Sequence, residues 1–426
     1  MNKWSKIIVS YFMVRCHMDK FEEYKYYIDS ICVYNIEEDD VMQALRALLA
    51  GARGEDTPRL YSTFFRKLSH HGSLTQYIAD LVLTDDNAFT KAAAAGEADD
   101  IPRALYDGVI SDLKKLEAIA KLTADEIIGA SYGEEEKVLL TLPRWETGTA
   151  PAPLGDDWAG NFDALCRYHE DNGYGVFTTH CAFAWHGGDL VPITSTDPIE
   201  LAELKNYERQ RDMVLENTEA FLDGLPANNI LLYGDRGTGK SSTVHAVLNA
   251  YKYRGLRMIE IKKTEIGSLT LIRERIANSP MKFIIFIDDL SFDTHDDSFG
   301  ELKAALEGSL SGRQSNTLIY ATSNRRHLIK ENHADRENDV HRSDTMQEEL
   351  SLSDRFGVTI TFMNPDKAEF LDITEQIARD RGIDFDTDKL LREAENWARR
   401  RGGRSPRCAK QFIDYVESCI RKGKEW

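Results

Sequence analysis

The stretch Gly234-Asp235-Arg236-Gly237-Thr238-Gly239-Lys240-Ser241 constrains this chain more than any other. It meets G-x-x-x-x-G-K-[ST] at every fixed position. Glycines at those places let a loop wrap so that successive backbone N–H groups point inward, forming a cradle for phosphate oxygens. The apolar run Ile230 to Tyr233 precedes the loop, and a helical pattern from Ser241 to Lys252 follows it. A strand that runs through such a loop into a helix adds the positive end of the helix dipole to the cradle. In that setting Lys240 reaches the β- and γ-phosphates and the Ser241 hydroxyl ligates Mg2+. Ser242, in the first helical turn, joins the loop residues as a nucleotide-binding candidate. An ordinary glycine turn, the alternative, has no need of the strand and helix on either side.

A second signal lies 48 residues beyond Lys240. Phe283-Ile284-Ile285-Phe286-Ile287 is a continuous apolar run, as expected of a strand buried on both faces, and it ends in Asp288-Asp289. Two carboxylates at the carboxyl edge of a parallel sheet stand where open α/β folds bind ligands. Asp288 is placed to hold Mg2+ through water and Asp289 to orient the attacking water. A solvated loop acid is the competing reading for Asp289.

From Asp197 onward helix and strand patterns alternate, with further strands expected at 257–261, 318–322 and 358–362 and helices at 268–277 and 299–310. That alternation implies right-handed crossovers and a parallel sheet covered on both sides. After Pro365 the pattern is helical throughout, at about 366–381, 386–400 and 407–421. The first 130 residues read as helices, at 37–50, 58–70, 73–84, 101–121 and 123–130; in the first of these Val41, Leu45, Leu48 and Leu49 share a face. Residues 143–160, with Pro143, Pro151 and Pro153, read as a linker, and 173–193 as two or three short strands. The expected organisation is a helical region over 1–130, a connector over 131–196, a core over 197–364 and a helical lid over 365–426.

These words, in order, resemble an AAA+ ATPase. More narrowly, residues 197–420 resemble a bacterial ATP-binding family catalogued as domain of unknown function 815. The resemblance also rests on Lys205-Asn206-Tyr207-Glu208-Arg209-Gln210, Leu225-Pro226-Ala227-Asn228-Asn229, Ala321-Thr322-Ser323-Asn324-Arg325 and Ser351-Leu352-Ser353-Asp354-Arg355-Phe356-Gly357. It implies an α/β fold: an AAA+ parallel-sheet P-loop core with a C-terminal helical lid and a mainly helical N-terminal region. It implies ATP and Mg2+ as ligands and hydrolysis completed at the interfaces of a homo-oligomeric ring, a hexamer being favoured. Tyr207 and the residues before it would contact adenine. Asn324 matches the residue that reads the γ-phosphate, and Arg355 matches the arginine that enters a neighbour's site. Arg407 matches the arginine of the lid, with Arg404 as its rival. Fixed donors and cations aimed at the γ-phosphoryl group lower the barrier to its transfer. Arg355 could instead be a surface ion-pair residue, and Asn324 an Asx-turn residue.

One departure stands out. AAA+ proteins usually carry Glu where Asp289 stands, and a shorter side chain reaches less far, which favours a slow, switch-like ATPase. The guanine-reading word N-K-x-D is absent, so GTP is not expected. Thr264-Glu265-Ile266-Gly267 lacks the aromatic of a peptide-threading loop.

Charge and composition bound the partners. The 426 residues carry 53 Lys and Arg against 71 Asp and Glu, a net of −18, which argues against a surface that coats nucleic acid or anionic membrane. Residues 391–426 are locally basic, with Arg399, Arg400, Arg401 and Arg404 clustered before Arg407. A solvated helix end is favoured there over a phosphate-backbone contact. A protein partner is expected through the N-terminal helices. Six scattered cysteines without a C-x-x-C pair fit a reduced, cytoplasmic protein. The run Ile7 to Val14 is too short to span a bilayer and is followed by no cleavage site, so it reads as buried helix or strand rather than a signal peptide. Cys166, His169, His180, Cys181 and His186 lack the paired spacing of a zinc finger. The polar stretch Ile329 to Leu350 reads as a long loop facing a neighbouring subunit. The function implied is remodelling or loading of a macromolecule. The alternatives are an ATP-gated assembly switch with negligible turnover and a loader associated with nucleic acid.

Overall fold

Strands begin only at Ala182; before it, the described residues are helix, turn or irregular chain. The computed structural model describes residues 20–131, 134–277, 279–292, 297–307, 316–324 and 355–426. They divide into two compact units, one ending at Thr179 and one beginning at His180. The run Ile7 to Val14, the stretch Ile329 to Leu350 and residues Ser351 to Asp354 lie outside the described residues.

The first unit is built on the expected helices. Asp40–Gly51 starts where the Asp39 carboxylate accepts from the N–H groups of Val41 and Met42, two of the donors a helix start leaves unpaired. Its shared face of Val41, Leu45, Leu48 and Leu49 is buried. Ala124–Ala130 begins with a capping box between Thr123 and Glu126. The Pro-rich run over 143–160 differs from the expected linker. It is irregular, yet Trp145, Leu154 and Trp158 are buried in the helical core, and the Trp145 indole N–H donates to the Leu122 carbonyl at 3.0 Å. Prolines and glycines end regular structure without freeing a chain from packing, and each buried aromatic here anchors the loop by ~1.5–3 kcal/mol. A helix over Phe162–Asn172, not expected from the sequence, follows. It buries His169, whose Nδ1 lies 2.9 Å from the Gly173 carbonyl. His169 and Cys166 on this helix are core residues.

The second unit is a seven-stranded sheet with helices on it: β1 (Ala182–His186), β2 (Asp189–Pro192), β3 (Ile230–Gly234), β4 (Leu256–Ile261), β5 (Lys282–Ile287), β6 (Thr317–Ser323) and β7 (Val358–Phe362). Their order is β2-β1-β4-β5-β6-β3-β7. Among the described residues only the β1–β2 pair is antiparallel; every other neighbouring pair is parallel. The aromatic stretch read as part of a connector therefore supplies two strands, and β1 joins the sheet with Ala182 opposite Met258. β5 is buried from Phe283 to Ile287 and β6 over all seven residues, as the continuous apolar runs require of central parallel strands.

The helices of this unit are α1 (Glu208–Leu222), α2 (Lys240–Tyr251), α3 (Leu269–Ile276), α4 (Asp297–Glu307), α5 (Lys367–Asp380), α6 (Thr387–Arg401) and α7 (Pro406–Arg421). The last three close on their own small core, which includes Phe370, Ile373, Leu390, Ala394, Phe412, Ile413 and Val416. Each has a built start: Asp366 and Glu369 form a capping box for α5, Asp386 caps α6, and Ser405 caps α7 ahead of Pro406. The sheet places β3 between β6 and β7, so the loop leaving β3 emerges beside the carboxyl ends of both. This is the expected α/β arrangement: a mainly parallel sheet followed by a C-terminal helical lid, preceded in sequence by a mainly helical region. Among the described residues no helix is long and apolar enough to cross a membrane.

Candidate functional site

β3 ends at Gly234, and the chain turns there in a conformation that only glycine takes easily, with φ at 136°. A Cβ at Gly234 would stand 2.0 Å from the Phe362 carbonyl oxygen at the end of β7. The loop is therefore pressed against the neighbouring strand. Asp235 fastens it further. Its N–H donates to the Phe362 carbonyl at 2.8 Å, and its carboxylate accepts the Asn364 N–H at 2.7 Å. The acid of this glycine-rich loop is thus turned onto the segment that leads to the lid. Gly237 and Gly239 take positive φ as well, and α2 begins at Lys240 directly after them.

Lys240 is buried, at 6% exposure, and its ammonium is fully engaged. Nζ donates to the Gly234 carbonyl at 3.0 Å, the Asp235 carbonyl at 2.7 Å and the Asn324 side-chain oxygen at 3.2 Å. Burial holds its pKa below the ordinary lysine value. Nearby Asp235, Asp288 and Asp289 pull it upward, and Arg407 adds to the downward push.

The acids after β5 meet this loop and β6. The Ser241 hydroxyl donates to Asp288 Oδ1 at 2.6 Å. The Thr322 hydroxyl donates to the same oxygen. Asp289 stands in the left-handed region with φ at 50°, and its N–H donates to Thr322 Oγ1 at 3.0 Å. The Asn324 side-chain N–H donates to Asp289 Oδ1. Lys240, Asn324 and Asp289 thus form one chain of polar contacts, while Ser241, Asp288 and Thr322 form a second beside it.

A cavity of about 810 Å³ opens over these groups. Arg236, Gly237, Thr238, Gly239, Lys240, Ser241 and Ser242 line its floor, with Asp288, Asp289, Thr322 and Asn324 on one wall. Tyr207, Lys205, Asp380 and Arg407 lie around it as well. Tyr207 takes a left-handed backbone, packs its ring 5.2 Å from that of Phe362 and donates its hydroxyl to the Met363 carbonyl at 2.6 Å. Burial raises the pKa of this phenol, which stays protonated as a donor. Lys205 and Asp380 form an ion pair at 2.5 Å between the segment before α1 and the end of α5.

The lid reaches the loop through α7. The Arg407 N–H donates to the Gly237 carbonyl at 3.1 Å. Arg404 turns away and grips Glu395 with two N–H groups, at 2.6 and 3.0 Å. Of the two rival arginines, Arg407 lines the cavity and Arg404 does not. Arg355, just before β7, does not line it either.

The donor set suits a magnesium nucleotide. A hydroxyl and a carboxylate converge at 2.6 Å, hard oxygen ligands of the kind Mg2+ takes. The adjoining loop and the start of α2 offer N–H groups and a buried ammonium for phosphates. Sequence reasoning missed Thr322, which looks like ordinary β-branched strand filling and becomes visible only when β6 lies beside β5. It also gave no sign that Asp235 faces the segment after β7.

Among solved structures, RuvB of Thermotoga maritima, described as a Holliday junction branch migration motor, is similar at 17% identity with a TM-score of 0.38, covering 53% of this chain and 66% of that one. A single-residue variant of the same protein matches at 14% identity and a TM-score of 0.36, covering 50% of this chain and 62% of that one. The chain thus spans just under two thirds of these structures' length. No curated protein matches the sequence. The family described as Protein of unknown function (DUF815) matches residues 178–420, more than half of the chain and the whole of the cavity just described, and the chain belongs to that family.

Proposed function

We propose that this protein binds ATP with Mg2+ and hydrolyses it at the interfaces of a homo-oligomeric ring, and that the cycle remodels or loads a macromolecular partner. The observation that carries the reading is the meeting of Ser241 and Asp288 at 2.6 Å on the wall of a cavity whose floor holds Lys240. In this reading the N–H groups of residues 236–242 and the Lys240 ammonium bind the phosphates, and Tyr207 lies toward the base. Ser241 and Asp288 hold Mg2+, which supplies neutralising charge for the phosphate oxygens when bound. Asp289 accepts a hydrogen bond from the attacking water at its carboxylate, and Asn324 fixes that carboxylate. Arg407 brings lid charge to the same phosphates. Arg355 lies outside its own chain's cavity, which supports a role in a neighbour's.

The partner is best sought as a protein that docks on the N-terminal helical unit. A nucleic-acid role for the basic C-terminus is the weaker reading, because Arg399 and Arg404 pair with Glu395 and Arg401 lies 4.5 Å over the Trp397 ring. A second reading, an ATP-gated assembly switch with little turnover, draws support from the direct bonds between the phosphate loop and the lid segment. Phosphate release, measured against protein concentration, separates the two. The enzyme reading expects turnover that rises as rings form and stops in Asp289→Asn while ATP binding persists. Absence of release from assembled wild type with candidate partners present would leave the switch. Proteins that co-purify with the Asp289→Asn variant in ATP identify the partner.

A further inference from the structure

Thr322 uses one hydroxyl twice. Its proton goes to Asp288 Oδ1, and its oxygen accepts the Asp289 N–H at 3.0 Å. Its carbonyl accepts the Leu290 N–H at 2.7 Å. The side chain is 2% exposed, so water does not replace these bonds. Two consequences follow from elementary chemistry. First, Oδ1 of Asp288 takes hydroxyl protons from both Thr322 and Ser241, so two side chains from different elements hold the same carboxylate oxygen. Second, Asp289 sits at φ 50°, a region that side chains with a Cβ seldom occupy unless surrounding bonds hold them there. The bonds that hold it come from the end of β6 and the residue after it: Thr322 accepts its N–H and the N–H of the next residue, and the Asn324 side-chain N–H donates to its carboxylate. The left-handed turn changes the direction in which the short Asp289 side chain leaves the strand end.

We infer that Thr322 is a positioning residue for the proposed reaction, setting the metal-side carboxylate of Asp288 and the left-handed backbone of Asp289 with a single hydroxyl. The inference rests on the ATPase reading above. It explains how an aspartate serves at position 289: the backbone, rather than side-chain length, aims the carboxylate, and Thr322 fixes the backbone. It also couples the two acids, so that loss of the hydroxyl disturbs metal affinity and turnover together.

The test compares Thr322→Val, which keeps the branched shape and removes the hydroxyl, with Thr322→Ser, which keeps the hydroxyl. Calorimetry measures ATP affinity with Mg2+ and with chelator, and phosphate release is measured against Mg2+ concentration. Thermal melting verifies that each variant is folded. Thr322→Val is expected to bind metal-free ATP as wild type does, to lose most of the affinity gained from Mg2+, and to turn over about 10–100-fold more slowly, the usual cost of removing a group that orients a metal ligand. Thr322→Ser is expected to recover most of both. A purely structural role would lower the melting temperature without moving the Mg2+ requirement. Active wild type with a Thr322→Val variant unchanged in Mg2+ dependence and rate overturns the inference alone. A wild type that neither binds nor hydrolyses ATP overturns the ATPase reading, and the inference with it.

Discussion

Arg407 donates its backbone N–H to the carbonyl of Gly237 at 3.1 Å, so the first turn of the last lid helix rests on the glycine-rich loop itself. A Cβ at Gly237 would come within 3.0 Å of Ser405 Oγ and 3.2 Å of Arg407 Cβ. With φ at 78°, that closeness favours glycine, and the Arg407 side chain lines the cavity. Arg407→Ala is expected to slow ATP turnover and leave the melting temperature near that of wild type. Arg404→Ala, which breaks a grip on Glu395 instead, should do the reverse. Phosphate release and thermal melting of the two variants decide between them; slower turnover from Arg404→Ala alone would reverse the assignment.

Lys240→Ala should abolish tight ATP binding. The ammonium is buried among the Gly234 and Asp235 carbonyls and the Asn324 side-chain oxygen, and its removal takes away the charge that the proposed site aims at the phosphates. Calorimetry reads this directly, and unaltered affinity would remove the cavity as the nucleotide site.

Arg355→Ala should bind ATP almost normally and lose hydrolysis. An arginine acting on a neighbour's γ-phosphate contributes ~10³–10⁵ in rate in related phosphoryl transfers. Mixing is the sharper measurement. Lys240→Ala subunits retain Arg355, and Arg355→Ala subunits retain their pockets, so co-assembled mixtures should regain part of the activity. Mixtures that co-assemble and stay inactive would show that Arg355 does not act between subunits.

Acid should loosen the lid through Glu395. The hydrogen bond from Arg404 leads in holding its carboxyl down to about 2; burial opposes this and Arg399 adds to it. The folded pKa lies below the unfolded value of about 4.3, so this group's contribution to stability is present above that value and is lost as pH falls toward 2. The gap in melting temperature between wild type and Glu395→Gln should therefore be widest above pH 5 and shrink as the pH falls below 4. A gap that stays constant over that range would mean the pair is not what ties α6 to the start of α7.

Much of the second unit was legible because its strands are buried on both faces. A run such as Phe283 to Ile287 has one physical use in a chain of this composition, and its two acids fall at its end. The three lid helices were legible from period and caps. Less could be read where packing is made by distant residues. Trp145 and Trp158 look like loop aromatics in a Pro-rich stretch until the helices that bury them are in place. β1 and β2 read as short strands, but which sheet receives them depends on the edge that β4 leaves open. Thr322 and Asp235 carry no local signal, since each acts through a neighbour more than thirty residues away in sequence.

The contact between Asp235 and Asn364 sets a limit on how this protein can be cut apart. The stretch from Phe362 to Asn364 looks like a convenient place to separate a nucleotide-binding fragment from its C-terminal helices. A fragment ending at Phe362 would leave the Asp235 carboxylate without its amide partner, in the glycine-rich loop proposed to bind phosphates, and would take away the carbonyl of Met363 to which Tyr207 donates. Dissection of the molecule into stable pieces therefore has to keep residues 363 and 364 with the core. These residues lead straight into the lid, whose first helix is capped at Asp366, so the approach to the lid is held from the core side by a residue of the glycine-rich loop.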